Sequence, residues 1–193
     1  MKNFKIRVEV SARHCHLNEK DFKKLFGAKA KLTPIKKLTQ VGEFASKETI
    51  ALKTKKGEIS RVRIIGPLRD YSQVELSGTD SFRLGLTPPV RMSGDLKSSA
   101  PVTIIGPKGK VNKRDVVIIA NRHIHANPEQ AKKLGLKNKQ IVSAEILGDR
   151  ALVFKKVKVK IHEKYDLSMH IDTDEANACG LDMKKAFAKI IKN

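Results

Sequence analysis

The strongest constraint on this chain is an internal repeat. Ser11-Ala-Arg-His-Cys-His16 reads against Ala120-Asn-Arg-His-Ile-His125, and the match continues without a gap. His14 answers to His123, Asn18 to Asn127, Lys23-Lys24 to Lys132-Lys133 and Leu25 to Leu134, all at one constant offset. A repeat held at a fixed offset marks a structural unit used twice. Each copy has the same local grammar. Phe4, Ile6, Val8 and Val10 alternate with polar residues in the first copy, and Val116-Val-Ile-Ile119 forms an apolar run in the second. Both read as strands. Arg-His-x-His follows, then an Asn suited to cap a helix, with Pro128 at the first helical position of the second copy and Gly27 suited to end the first helix.

A second echo lies between the copies. Arg61-Val-Arg-Ile-Ile-Gly-Pro67 resembles Pro101-Val-Thr-Ile-Ile-Gly-Pro107, and both read as strands that end in a Gly-Pro turn. Gly78-Thr-Asp and Gly94-Asp read as turns, Val157, Val159 and Ile161 alternate with lysines as one more strand, and residues 183–191 read as a final short helix. Many short strands with two brief helices predict a mainly β (β-rich α+β) protein, with two similar small barrels or sandwiches. No Ser/Gly/Pro-rich stretch separates the halves.

Only six histidines are present, and four of them form the two His-x-His pairs. Residues i and i+2 of a strand share a face, about 7 Å apart. Both imidazoles can converge on one ion, and zinc takes histidine nitrogen at about 2.0–2.1 Å. A single His-x-His is weak evidence; two in the same Arg-His-x-His frame are hard to attribute to ordinary surface histidines. His170 lies in Ser-Met-His-Ile-Asp-Thr-Asp-Glu-Ala-Asn, on one strand face with Asp166 and Asp172, an acid-rich flank that suits a metal ligand. His162 shares the lysine face of its strand and reads as solvated. Glu43 and Glu75 are the carboxylates singled out, although spacing alone makes each an ordinary strand residue. Cys15 points away from its two histidines and reads as packed, and Cys179 as structural.

Charge narrows the partners less than it first suggests. Forty Lys and Arg against 20 Asp and Glu give a formal net charge of +20. That surplus attracts any anion, whether nucleic acid, phosphate or coenzyme A. Aromatic residues make up 5% and Trp is absent, so the aromatic stacking platforms of RNA-binding sheets are missing. Two cysteines make no disulfide framework, and no Ser/His/Asp order, Walker loop or Rossmann glycine pattern appears. The N-terminus has no apolar core of a secretory signal, and no apolar stretch approaches ~18 residues. A reducing cytoplasm, with no membrane partner, is the expected location.

With these residues in hand, the chain resembles the PduL-type phosphate propanoyltransferases over nearly its whole length. The motifs are Ser-Ala-Arg-His-Cys-His, Gly66-Pro-Leu-Arg-Asp-Tyr-Ser-Gln-Val-Glu-Leu-Ser77, Pro89-Val-Arg-Met-Ser-Gly-Asp95, Ile-Gly-Pro-Lys-Gly109, Ala-Asn-Arg-His-Ile-His and Met-His-Ile-Asp-Thr-Asp-Glu-Ala-Asn177. The resemblance implies two β-barrels capped by short α-helices, 1–12 plus 121–193 and 13–120, with the first strand crossing over and the active site at their junction. It implies two zinc ions with ligands drawn from His14, His16, Glu43, Glu75, His123, His125 and His170, and Arg69 as the phosphate contact. The implied reaction is acyl-CoA (propanoyl or acetyl) plus phosphate going reversibly to acyl phosphate plus CoA. Dimers are implied as well. The missing N-terminal targeting extension of microcompartment members argues for a free cytoplasmic form. The competing readings are a basic nucleic-acid binder with structural zinc, against which the aromatic content speaks, and a zinc hydrolase, which would release free carboxylate in place of acyl phosphate.

Overall fold

Period-two burial organises the strands. In β1 (Lys5–Ser11), Ile6 and Val8 are buried while Lys5 and Arg7 are exposed. The computed structural model describes residues 5–182 and 186–191, so Phe4 of the expected alternation lies outside them. After β1 come β2 (His14–His16), α1 (Glu19–Phe26), β3 (Pro34–Lys37), β4 (Phe44–Lys53), β5 (Glu58–Gly66), β6 (Gln73–Leu76), α2 (Gly78–Leu84), β7 (Val90–Arg91), β8 (Ala100–Ile105) and β9 (Lys110–Ala120). The second copy continues with β10 (His123–Ala126), α3 (Pro128–Leu134), β11 (Ile141–Ile146), β12 (Leu152–Ile161), β13 (Ser168–Asp172), α4 (Thr173–Ala178) and β14 (Phe187–Ile191). Among the described residues no helix is long and apolar enough to cross a membrane.

The chain divides into two compact units, Met1–Ser11 with Asn121–Asn193, and Ala12–Ala120. In the first, β1-β13-β10-β12-β11-β14 form a closed barrel. In the second, β2-β5-β4-β8-β9-β6 pair into a ring of the same kind, with β3 added on β4 and β7 on β9. The two rings share strand order and strand sense. β10 is parallel to β12 and antiparallel to β13, as β2 is parallel to β5 and antiparallel to β6. β1 is parallel to β13 as β9 is to β6. The strand that precedes each Arg-His-x-His thus belongs to the other unit, and each unit has its own apolar core.

A shared irregularity strengthens the correspondence. Arg61 in β5 and Lys156 in β12 both take a left-handed backbone, φ 56° and 57°. Each sits just before a fully buried valine, Val62 or Val157, and beside a register shift against the neighbouring strand. Non-glycine residues rarely adopt positive φ, and in a ladder this is the signature of a bulge that bends the strand. The bulge recurs at the matching place of both rings, each time at a basic residue followed by valine.

Two expectations change. Gly78-Thr-Asp is no loop: Ser77 accepts from the Asp80 N–H and starts α2 there. α4 begins likewise, where Asp172 and Glu175 form a reciprocal capping box. There are therefore four helices among the described residues, two beyond the pair that follows the Arg-His-x-His segments. The final helix is not formed either. Residues 183–185 lie outside the described residues, and Phe187–Ile191 is β14, with Ala188 buried between β1 and β11. The two alanines and three lysines of residues 183–191 favour helix locally, but the edges of β1 and β11 close the barrel by pairing with Phe187–Ile191, and those hydrogen bonds override propensity. Asn18 and Asn127 cap α1 and α3 as expected, Asn127 in a full box with Gln130.

Candidate functional site

β2 is the centre of the site in the Ala12–Ala120 unit. Cys15 is fully buried in the barrel core, which sends His14 and His16 to the opposite face. Their rings lie 5.0 Å apart, nearly perpendicular. Nδ1 of His14 is 2.9 Å from the Ala12 carbonyl oxygen, and Nδ1 of His16 is 3.1 Å from that of Ile65. A carbonyl only accepts, so each Nδ1 carries the proton and each Nε2 keeps its lone pair, the tautomer that a metal requires. β6 runs antiparallel beside β2, with Glu75 directly across from His14. Oε2 of Glu75 is 3.5 Å from Nε2 of His14. His14, His16 and Glu75 offer ligand atoms all within 4.8 Å of one another. Burial first, then the nearby His14 and Arg69, holds the His16 imidazole well below its ordinary range and therefore neutral.

The polar surroundings continue from Glu75. Gln73, two residues earlier on the same face, donates from Nε2 to Oε1 of Glu75 at 2.6 Å and to Oγ of Ser93 at 2.8 Å, and its Oε1 accepts from the Gly94 N–H. Ser93 also accepts from Nη1 of Arg69 at 3.2 Å. Nη2 of Arg69 donates to Oε1 of Glu43 at 2.9 Å, and its guanidinium lies 6.0 Å from the Tyr71 ring centre. Glu43, expected among the metal ligands, stands on the turn before β4 against Arg69 and outside the group of three. Gln73 and Ser93 were missed. Gln73 was findable from its i, i+2 spacing with Glu75; nothing in the order of residues brings Ser93 there.

The other unit repeats the plan with different donors. Ile124 is buried in the core, and His123 and His125 face away from it. Nδ1 of His123 is 2.8 Å from the Asn121 carbonyl oxygen, the same two-residue reach as His14 to Ala12. Across β13, His170 is paired with His123 and Ser168 with His125. Ring centres of the three histidines lie 4.5–5.1 Å apart. The His123 and His170 rings are stacked almost parallel, so convergence on one ion asks for ring rotation. His125, stacked on Tyr165 at 4.0 Å, is 7% exposed, and both its nitrogens are buried without a hydrogen-bond partner. Each unsatisfied buried polar atom costs about 1–3 kcal/mol, and a bound metal would satisfy one of them. Burial, then His123, His170 and Lys160, pushes the His125 imidazole far down, so it is neutral. Among the described residues, His14, His16 and Glu75 are the one set whose ligand atoms already lie close enough together to hold an ion.

The acids expected beside His170 turn elsewhere. Asp172 caps α4, and Asp166 accepts from Gln130. The carboxylate that faces Nε2 of His170, at 3.9 Å, is Glu9 of β1. His162 stays exposed beside Tyr165. Both cysteines are packed: burial raises the Cys15 thiol, and burial does the same, first among its causes, at Cys179, which donates to backbone carbonyls of α4.

The family model of phosphate propanoyltransferase matches residues 7–182. A phosphate propanoyltransferase of Thermotoga maritima is 49% identical over 178 residues, covering 92% of this chain and 85% of the relative. Proteins of the same name from Rhodopseudomonas palustris and Priestia megaterium are 48% and 47% identical, covering 91% and 90% of this chain and 77% and 80% of their own lengths.

Proposed function

The chain belongs to the phosphate propanoyltransferase family and is an acyltransferase, and we propose from this that it exchanges a short acyl group between coenzyme A and phosphate at a zinc-dependent site. In the forward direction a phosphate oxygen bonds to the thioester carbonyl carbon. The C–S bond breaks, the sulfur leaves with the electron pair, and the proton that phosphate gives up is taken by the departing thiolate. Propanoyl and acetyl groups are both candidates, since one methylene is worth only about 1–3 kcal/mol in a pocket.

One zinc would be held by His14, His16 and Glu75, and a second by His123, His125 and His170. Zinc when bound supplies a Lewis acid for the carbonyl oxygen or the thiol sulfur. The chain's own residues set the rest. Arg69 presents a planar fork of donors that matches phosphate oxygens. Glu43, at 2.9 Å, orients that fork and keeps its charge local. Gln73 fixes the rotamer of Glu75, and the Nδ1 bonds of His14 and His16 fix both rings. Burial keeps His16 neutral, the form a metal ligand needs.

The carrying observation is the hydrogen-bonded series Glu75–Gln73–Ser93–Arg69, which ties an anion-binding guanidinium to a two-histidine, one-carboxylate donor set. The test is thiol release from propanoyl-CoA and from acetyl-CoA, with and without phosphate, before and after chelation. Acyl phosphate should form only when phosphate and metal are both supplied. Free carboxylate in its place would mean hydrolysis.

A further inference from the structure

The geometry points to Arg13 as a positioning residue for His14, acting through an ion pair with Asp80, and to Arg122 with Glu175 as the same device for His123. Nη1 of Arg13 donates to Oδ1 of Asp80 at 2.7 Å, and Nε of Arg122 is 2.8 Å from Oε1 of Glu175. Both acids stand in the first turn of the helix that follows the partner strand, α2 after β6 and α4 after β13. Each follows the residue paired with the first histidine by the same number of positions, Glu75 to Asp80 and His170 to Glu175. In each helix the cap residue accepts from the backbone N–H of that same acid. Residue types differ at the acid, at the cap and at the paired residue, yet the ion pair recurs. The arginine of each Arg-His-x-His segment thus has a charge partner within its own unit.

What the pair holds is the support of a ring. The Nδ1–H of His14 donates to the Ala12 carbonyl at 2.9 Å, and that of His123 to the Asn121 carbonyl at 2.8 Å. Ala12 lies between β1 and β2, and Asn121 between β9 and β10, where the chain passes from one unit to the other. Both carbonyls therefore sit outside the strand ladders. The arginine is the residue between carbonyl and ring, and its side chain ties that stretch to a helix. The Asp80 side chain is 6% exposed, and a carboxylate so buried is left uncompensated if its cation leaves. Glu43, the partner of Arg69, is 32% exposed, so Arg69 turns toward an anion at lower cost. The two guanidinium groups thus have different tasks: Arg69 meets the anion, and Arg13 keeps the Nε2 lone pair of His14 turned toward Glu75, 3.5 Å away. The consequence for turnover rests on the zinc reading above; the effect on the ring does not.

The experiment reads the rings directly, by long-range proton–nitrogen correlation spectra of the metal-free full chain. The double variant Arg13→Met with Asp80→Leu removes both charges at once, so no unpaired charge stays buried. Arg122→Met with Glu175→Gln does the same in the other unit, where Gln can still accept from the Asp172 N–H. The first variant should turn His14 from a single Nδ1–H form into a mixture with Nε2–H and leave His123 as it was; the second should do the reverse. Arg13→Lys, which keeps the charge, should preserve most of the Nδ1–H form. In the zinc-loaded protein the first variant should lower kcat about tenfold with KM for phosphate unchanged. An unchanged ring in the matching variant overturns the assignment, and so do rings that shift together in both, which is general loosening. A rise in phosphate KM on the scale of Arg69→Ala also overturns it, since Arg13 would then bind the anion. A shifted His14 ring with full turnover leaves the tether standing and sinks the zinc reading of the site instead. Should the first variant not fold, Asp80→Asn, nearly the same in shape, is held to the same outcomes.

Discussion

In the Ala12–Ala120 unit the residue paired across from the first histidine is a carboxylate; in the other unit it is a third imidazole. The backbone beneath is the same in both. An Nδ1–H reaches back two residues to a carbonyl, a buried residue separates the two histidines, and an antiparallel neighbour presents the partner. What differs is the polar company. Glu75 leads through Gln73 and Ser93 to Arg69, whereas His125 leads to the ring of Tyr165. A duplicated scaffold can keep its geometry and still divide labour, because strand pairing positions the donors and only side-chain identity sets their charge. On the proposed reading, the unit with Arg69 handles phosphate.

The largest effect should come from removing donors on either side of the comparison. His16→Ala is expected to lower turnover on the order of 100–1,000-fold and to remove one zinc, as thiol release and elemental analysis would report. His125→Ala should remove the other zinc. If the two losses in turnover are equal even at saturating phosphate, the division of labour is gone.

Arg69→Ala sharpens the contrast further. Losing a charged hydrogen-bond donor to phosphate costs about 1.5–3 kcal/mol, so kcat/KM for phosphate should fall about 10–100-fold with zinc content unchanged. Phosphate kinetics that stay the same would remove the assigned role.

A smaller effect separates the metal-free protein from the loaded one. His16 and His125 are held neutral below their ordinary value of 6.5. Below pH 6.5 the unfolded chain takes up protons there that the folded chain does not, so stability falls as pH falls and is flat above. Each histidine contributes a slope of about 1.4 kcal/mol per pH unit in that acid range. Denaturant titrations of metal-free protein between pH 7.5 and 5 should show it (roughly the span in which a histidine slope is separable from carboxylate titration). His125→Asn should remove its share, and an unchanged slope would count against a neutral His125.

The smallest difference lies in the caps. Asn127→Ala should cost about 1 kcal/mol, since it breaks a box reciprocated by Gln130. Asn18→Ala should cost no more, because the residue three positions on, Asp21, is engaged instead by Ser72 and Lys113 and does not return a bond. Chemical denaturation of the two variants would rank them.

How much of this was legible follows from what each signal needs. The duplication, the β-rich class, the two His-x-His pairs and the Asn caps depend on residues close in sequence, where period-two burial and capping hydrogen bonds act. Those were readable from the chain alone. The helix expected at 183–191 failed because its residues are claimed as a strand by partners far along the chain, β1 and β11. Gln73 lay within reach of the same period-two rule, while Ser93 and Glu9 did not. Glu9 meets His170 only because β1 pairs with β13, and Arg69 meets Glu43 only because a turn and a loop fold toward each other. Local sequence set which side chains each strand presents on which face. Strand pairing across long separations decided which of those faces share a site, because hydrogen-bond ladders take their register from the closed barrel and not from neighbours in the chain.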